Sequence, residues 1–262
     1  MKTALEEFAA KTEVPSWART ADWDKLPAAI RRRSFFSAAL EDARALSAER
    51  KSVADLLQTV SKDGKIYRRD TAITELQAMM QARGLDTGDG NTLTNPAAEK
   101  RIKLVLDTNR AQAQGYARFK RSSSGGALLA FPAQELVRVR NSKVERDWQD
   151  RWIAAGGKLT NGRMIALKTD AIWTNPALNR FGTPYTPFDF NSGMGLKDIS
   201  RREAIALGIM AADWQPDRDP VEDFNAQVEA DVSTVHPDLL SSITGLFGDA
   251  VSLVDGIMRF VS

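Results

Sequence analysis

The stretch TPFDFNSGMGLKDISRREAIALGI (186–209) decides how the chain is read. Within it, FDFNSGMG (188–195) crowds two aromatics, two glycines and three small polar residues together, which is turn chemistry. Phe188 and Phe190 are expected to anchor this turn by burying apolar area. Asp189 or Asn191 is expected to hold neighbouring backbone amides, and Gly193 and Gly195 to permit the bend. Ser200, with Glu203 three residues on, reads as a capping box opening the helix RREAIALGI. A rigid turn running into a capped helix is expected here.

Upstream, the residues from Thr174 to Gly195 are dense in Pro, Asn, Gly and aromatics. GRMIALK (162–168) has the composition of a strand, and RDWQDRWIAAGG (146–157) reads as a short helix closed by Gly156. ALLAFPAQELVRVRN (127–141) carries two apolar runs split by Pro132, with Leu136, Val137 and Val139 suited to a strand. RSSSGG (121–126) reads as a flexible break.

The preceding part reads as helical. A long helix is expected from near Pro96 to Arg121, after the loop GLDTGDGNTLTNP (84–96), and another over RRDTAITELQAMMQARG (68–84). Between Asp22 and Gly64, Phe36, Leu40, Ala43, Leu46, Val53, Leu57 and Val60 recur at roughly helical spacing, with Pro27 in the first turn and Gly64 as a stop.

Downstream, QPDRDPVEDFNAQVEADVSTVHP (215–237) is polar and acidic and reads as a linker. Leu239, Leu240, Ile243, Leu246, Phe247, Val254, Ile257 and Met258 then recur at i, i+3, i+4 and i+7, predicting a C-terminal amphipathic helix, a candidate partner-binding element. The expected fold class is therefore α+β: a helical region (1–121), a compact α+β module (122–212), an acidic Pro-containing linker (213–237) and the terminal helix (238–262).

Composition narrows the function. The chain has 262 residues, 43% hydrophobic and 27% charged, close to globular averages, and a formal net charge of +2 that leaves no whole-chain footprint for nucleic acid. No cysteine is present, which excludes disulfides, Cys-ligated zinc and thiol nucleophiles and fits an intracellular origin. The opening residues show no apolar run of signal-peptide length, so secretion by that route is not expected. No segment approaches the roughly eighteen apolar residues of a membrane span, and a membrane role is not expected.

Chemistry-bearing candidates are sparse. The one histidine, His236, precedes Pro237 and suits a linker or cap position. Asp189, Asn191 and Asp198 are the nearest approach to a magnesium site, although turn and cap duties explain the same residues. GLDTGDGN lacks the terminal Glu of a calcium loop and reads as a surface turn. Of the basic clusters, Arg118, Lys120 and Arg121, beside Tyr116 and Phe119, suit DNA best. Trp148, Trp152, Trp173, Phe181, Tyr185, Phe188 and Phe190 suit a core or an interface. Neither a catalytic residue nor a metal or cofactor ligand is assigned.

The segments DTNRAQAQGYARFKR (107–121), AQELVRVRNSKVERDWQDRWIAAGG (133–157), GRMIALKTDAIW (162–173) and FGTPYTPFDFNSGMGLKDISRREAIALGI (181–209) resemble, in that order, phage head morphogenesis proteins related to the phage Mu F protein. RRRSFFSAALEDARAL (31–46) is similar to their N-terminal helix. The resemblance covers roughly residues 28–210 and implies a minor head protein, in the virion near the portal vertex and in the host cytoplasm during assembly. The implied partners are portal protein, major capsid protein or both, with genomic DNA a further candidate and several copies per particle. Many such proteins carry His and Cys in the α+β module; this chain has neither there, so no metal ligand carries over. The alternatives are a carboxylate and magnesium-dependent nuclease or hydrolase acting on DNA, using Asp189, Asn191 and Asp198, or a DNA-binding packaging accessory using Arg118, Lys120 and Arg121.

Overall fold

A computed structural model describes residues 2–58, 67–141, 146–226 and 228–261. The class is α+β, and the chain divides into two units, one drawn from 1–114 with 228–262 and the other from 115–227.

The first unit begins with helix α1 (Lys2–Ala9), strand β1 (Thr12–Glu13), helices α2 (Thr20–Trp23) and α3 (Ala28–Arg33), strand β2 (Ser34–Phe35) and helix α4 (Ala43–Leu57). The single helical run expected across residues 22–64 is thus broken. After Arg33 the backbone turns extended at Ser34, whose hydroxyl donates to the Ile30 carbonyl at 2.8 Å, and β2 pairs parallel with β1. Ala39 adopts a positive φ of 52°, which a helix cannot contain, and Asp42 restarts the helix by accepting from the Ala45 amide at 2.9 Å. The apolar spacing instead serves tertiary burial: Phe36 stacks on Trp23 with ring centroids 3.9 Å apart, and Leu40 is buried. Val60 and Gly64 lie outside the described residues. Helices α5 (Arg69–Ala82) and α6 (Glu99–Ser122) follow where the periodicity predicts them, separated by a loop that Asn95 organises from within by donating to Asp86 and to the Gly90 carbonyl.

The second unit continues from the end of α6. The expected break at RSSSGG is not a linker: helix α7 (Gly125–Ala130) starts inside it. Strand β3 (Ala133–Arg138), helix α8 (Trp148–Ala154), strands β4 (Leu159–Thr160), β5 (Arg163–Leu167) and β6 (Met194–Ile199), and helices α9 (Arg201–Ala206) and α10 (Pro220–Asn225) complete it. The four strands form an antiparallel sheet in the order β4-β5-β3-β6. Both faces are covered. Leu136, Met164, Ala166 and Met194 meet Trp148, Trp152, Trp173 and Phe188 on one side, while Ala133, Ile165 and Ile199 meet Ala204 and Met210 on the other. Two apolar faces explain why no clean alternation marks these strands.

The chain then returns to the first unit through strand β7 (Glu229–Asp231), helix α11 (Pro237–Phe247) and strands β8 (Val251–Val254) and β9 (Ile257–Phe260). This corrects the C-terminal reading twice. The acidic linker contains α10 and β7 and contributes Val232 and Val235 to a core. The helix expected over 238–262 ends at Phe247, where Gly248 takes a positive φ of 53°. Asp255 and Gly256, at φ 50° and 77°, form a two-residue hairpin turn that pairs β8 with β9, so Val254 faces Ile257 across strands. The i, i+3, i+4 spacing of apolar residues fitted a helix; the Asp-Gly pair was the overlooked signal. Leu239, Ile243 and Met258 are buried with Val14, Ala18, Leu26 and Ile30, with Leu240 and Phe247 packed against them, whereas Leu246 and Val254 remain exposed.

Candidate functional site

The turn 188–195 lies at the end of the β3-β6 pair. Phe188 is fully buried in the tryptophan cluster, its ring 6.1 Å from that of Trp173, whereas Phe190 is half-buried, edge-on to Phe181 at 4.9 Å. The two phenylalanines therefore differ in kind: one belongs to the core and the other to a surface pair.

Asp189 is buried and is the charge centre of the turn. Its Oδ1 accepts from the Phe190 amide at 2.8 Å. Its Oδ2 accepts from Arg151 Nη1 at 3.2 Å and lies 3.5 Å from Arg146 Nε, while Arg180 Nη1 is 3.8 Å from Oδ1. Arg146 also donates from Nη2 to the Phe190 carbonyl at 2.9 Å. Arg151 stacks over Trp148 and Arg180 over Phe190, at 4.7 and 5.1 Å to the ring centroids. Three guanidiniums thus converge on one carboxylate and fix the turn from both sides.

Gly193 explains the other end. Its carbonyl accepts from two consecutive amides, Val139 at 2.9 Å and Arg140 at 3.0 Å, so two residues oppose one and a β-bulge ends the ladder beyond the Arg138–Met194 pair. Gly193 has φ +68°, and a Cβ there would lie 2.3 Å from the Arg140 carbonyl oxygen. Gly195 faces only the Val139 side chain. Asn191, exposed, takes φ 50° without a side-chain role in holding amides among the described residues.

Ser200 caps α9, accepting from the Glu203 amide at 3.2 Å, but the reciprocal arm of the capping box is absent because the Glu203 carboxylate accepts from Arg163 at 2.9 Å. Arg163 also grips Glu135 through two bonds of 2.9 and 2.7 Å, which holds the Glu135 carboxyl below the usual carboxylate range and raises Arg163. Asp198, on β6, pairs at 2.9 Å with Lys168, whose Nζ also donates to the Ser122 carbonyl at 2.9 Å. Burial lowers the Lys168 ammonium and Asp198 opposes that shift.

The expected magnesium trio is therefore divided among different partners: Asp189 with arginines, Asp198 with a buried lysine, Asn191 in solvent. Among the described residues no three His, Asp or Glu side chains stand together as a metal-binding group. Arg118 donates to the Leu196 carbonyl at 2.7 Å, and Lys120 and Arg121 are exposed. Phe119 is buried with Tyr185 and Phe224, with Tyr116 packed against them, so these aromatics form a core and not a stacking platform beside the basic residues. His236 caps α11 through Nδ1, which accepts from the Asp238 amide at 3.3 Å, and lies edge-on to Trp17.

Sequence reasoning missed the arginines that hold Asp189. These are Arg146, Arg151 and Arg180, and no motif in the sequence ties them to Asp189. It also missed Asn179, which is buried and accepts from the Phe181 and Gly182 amides while donating to the Trp173 carbonyl, setting the course of the chain into the turn.

No family model matches the chain, and no curated protein or solved structure matches it.

Proposed function

We propose that the chain is a minor head protein of a tailed phage or prophage, acting at the portal vertex in head morphogenesis or in DNA packaging and delivery. The observation that supports this reading is where the resembling segments fall. Residues 133–157, 162–173 and 181–209 are separate in sequence, yet they supply β3, β5, β6, α8, α9 and the Asp189 turn, which share one sheet and its two covers. A body held by ion pairs on charged residues and by aromatics packed inward suits a docking element whose surface is constant in shape. The acidic residues that a nuclease would need for metal are occupied by Arg146, Arg151, Arg180 and Lys168, which favours the assembly reading over the hydrolase. Its partners on this reading are portal protein, major capsid protein or both, in several copies per virion, with assembly in the host cytoplasm.

Quantitative mass spectrometry of gradient-purified particles tests the proposal. A low, fixed ratio of this chain to portal protein is the expected result. Absence from mature particles and from assembly intermediates alike would overturn it and bring a divalent-dependent plasmid cleavage assay forward.

A further inference from the structure

The terminal sheet of the first unit has the order β7-β9-β8, so β8 is one of its edges. Which of its backbone groups face outward follows from β9. The Val261 amide donates to the Ala250 carbonyl at 2.9 Å, whereas the Phe260 amide donates the other way, to the Val228 carbonyl at 2.7 Å. Bonds in an antiparallel pair alternate, so Ala250, Ser252 and Val254 bond β9, while the amide and carbonyl of Val251 and of Leu253 point away from it. No strand, bridge or backbone hydrogen bond meets them on that side among the described residues. Val251 is buried, but Leu253 is 41% exposed although its cross-strand partner Met258 is fully buried, and Val254 is 55% exposed.

An unpaired strand edge recruits other strands, and proteins blunt such edges with brevity, charge or cover. The remaining edges are blunted. Strands β1, β2 and β4 have two residues each, and β7 carries Glu229 and Asp231. Strand β6 carries Lys197 and Asp198, and Arg118 covers its Leu196 carbonyl at 2.7 Å. Only β8, Val-Ser-Leu-Val, combines four residues with no charge and no cover among the described residues.

We propose that β8 is a self-association edge: two copies of this chain pair their β8 strands antiparallel about a two-fold axis at Leu253, joining their three-stranded sheets edge to edge. The edge itself specifies a second copy as its occupant. Leu253 presents one donor and one acceptor, and a two-fold copy returns one acceptor and one donor. With no charge from Val251 to Val254 the strand meets itself without repulsion, whereas β7 would set Glu229 and Asp231 against like charges. The axis falls at Leu253 because that residue centres the exposed run 252–254. Leu253 then meets Leu253 of the second copy, and Ser252 meets its Val254. An axis at Ser252 would instead bring Asp249 opposite Asp255. The inference stands independently of the virion assignment, since it is read on the purified chain alone.

The test is sedimentation equilibrium of the full chain over a concentration series. Wild type should pass reversibly from monomer to dimer, with the weak affinity of a small contact. Ser252→Lys/Val254→Lys sets ammonium groups opposite one another in the paired strands and should weaken the dimer by at least about tenfold. Ser252→Glu/Val254→Glu should weaken it likewise. Mixed together, the two variants should associate at least as tightly as wild type, because each charge then faces its opposite; damage to the fold could not produce that rescue. Both side chains are exposed, so the melting temperatures should stay near wild type. The proposal fails if wild type is monomeric at every concentration, which would leave the edge to a strand of another protein. It fails equally if the dimer survives both charge variants, or if their mixture stays monomeric.

Discussion

Glu49 and Arg101 are buried in the same unit without a direct bond between them among the described residues: neither Glu49 carboxylate oxygen has a hydrogen-bond partner. Glu49 is fully buried on α4, and Arg101 on α6 donates to the Ser37 hydroxyl at 3.1 Å, to the Leu93 carbonyl at 3.2 Å and to the Ala38 carbonyl. Burial pushes the Glu49 carboxyl up to about 7, with Arg101 and then Ser37 opposing. The folded-state value thus lies above the unfolded one of about 4.3, so the folded chain takes up a proton that the unfolded chain gives up. The stabilisation linked to that proton is complete below about 4.3 and is lost as pH rises through about 7. Asp42, Asp86, Glu135 and Asp231, held below their ordinary values, act only at more acidic pH. We expect the denaturation midpoint of this unit to be lower at pH 8 than at pH 5.5, and Glu49→Gln to remove most of the difference. Urea titrations at the two pH values decide it; equal wild-type midpoints would refute the assignment.

Gly193 and Gly195 differ in what surrounds them, and their alanine variants should differ accordingly. At Gly193 an added Cβ meets a backbone oxygen at 2.3 Å and a positive φ, so Gly193→Ala should cost at least about 2 kcal/mol. At Gly195 the neighbour is the Val139 Cγ1 at 2.7 Å, on a side chain that is 67% exposed and free to swing away, so Gly195→Ala should cost under about 1 kcal/mol. Chemical denaturation of both variants checks the order, and a reversed order would remove the bulge from the explanation of the turn.

Removing Asp189 leaves three guanidiniums facing one another. Asp189→Ala should destabilise the second unit by about 2 kcal/mol, a value kept below the range for fully buried pairs because the arginines are about a third exposed. Asp189→Asn keeps the acceptor for the Phe190 amide and should fall between wild type and Ala. Thermal melting of the set gives the ranking, and a variant as stable as wild type would show that the arginines do not need their carboxylate.

Phe188→Ala and Phe190→Ala separate core from surface. The first empties a fully buried position and should cost about 3–5 kcal/mol; the second, half-buried, should cost about 1 kcal/mol. If Phe190→Ala folds normally yet drops out of purified particles, the Phe181–Phe190 pair belongs to a docking surface. Normal incorporation would confine it to stabilising the turn.

Local signals carried the parts of the fold that local physics decides. The periodicity of α5 and α6, the Ser200 cap and the glycine turn were legible because each is set by neighbours within a few residues. Strand β6 was not, since Gly195, Lys197 and Asp198 have weak strand preference and their place is fixed by pairing with β3, some sixty residues earlier in sequence. The Asp189 lock was invisible for a related reason: Arg146 and Arg151 reach it across long separations in sequence, Arg180 from a nearer loop, and a charge in sequence does not name its partner. The terminal hairpin was lost to ambiguity, because short apolar runs satisfy helix and strand periods alike and only Asp255–Gly256 distinguishes them.

The first unit takes its core from both ends of the chain: Val14, Ala18 and Ile30 are covered by Val232, Leu239, Ile243 and Met258. Synthesis on the ribosome delivers these halves far apart in time, with every residue of the second unit emerging in between. The second unit has all its own strands before the first has its lid. A nascent chain therefore carries an uncovered apolar surface until residues 228–260 have been made, and a frameshift or premature stop ahead of them leaves that surface open to proteases and chaperones.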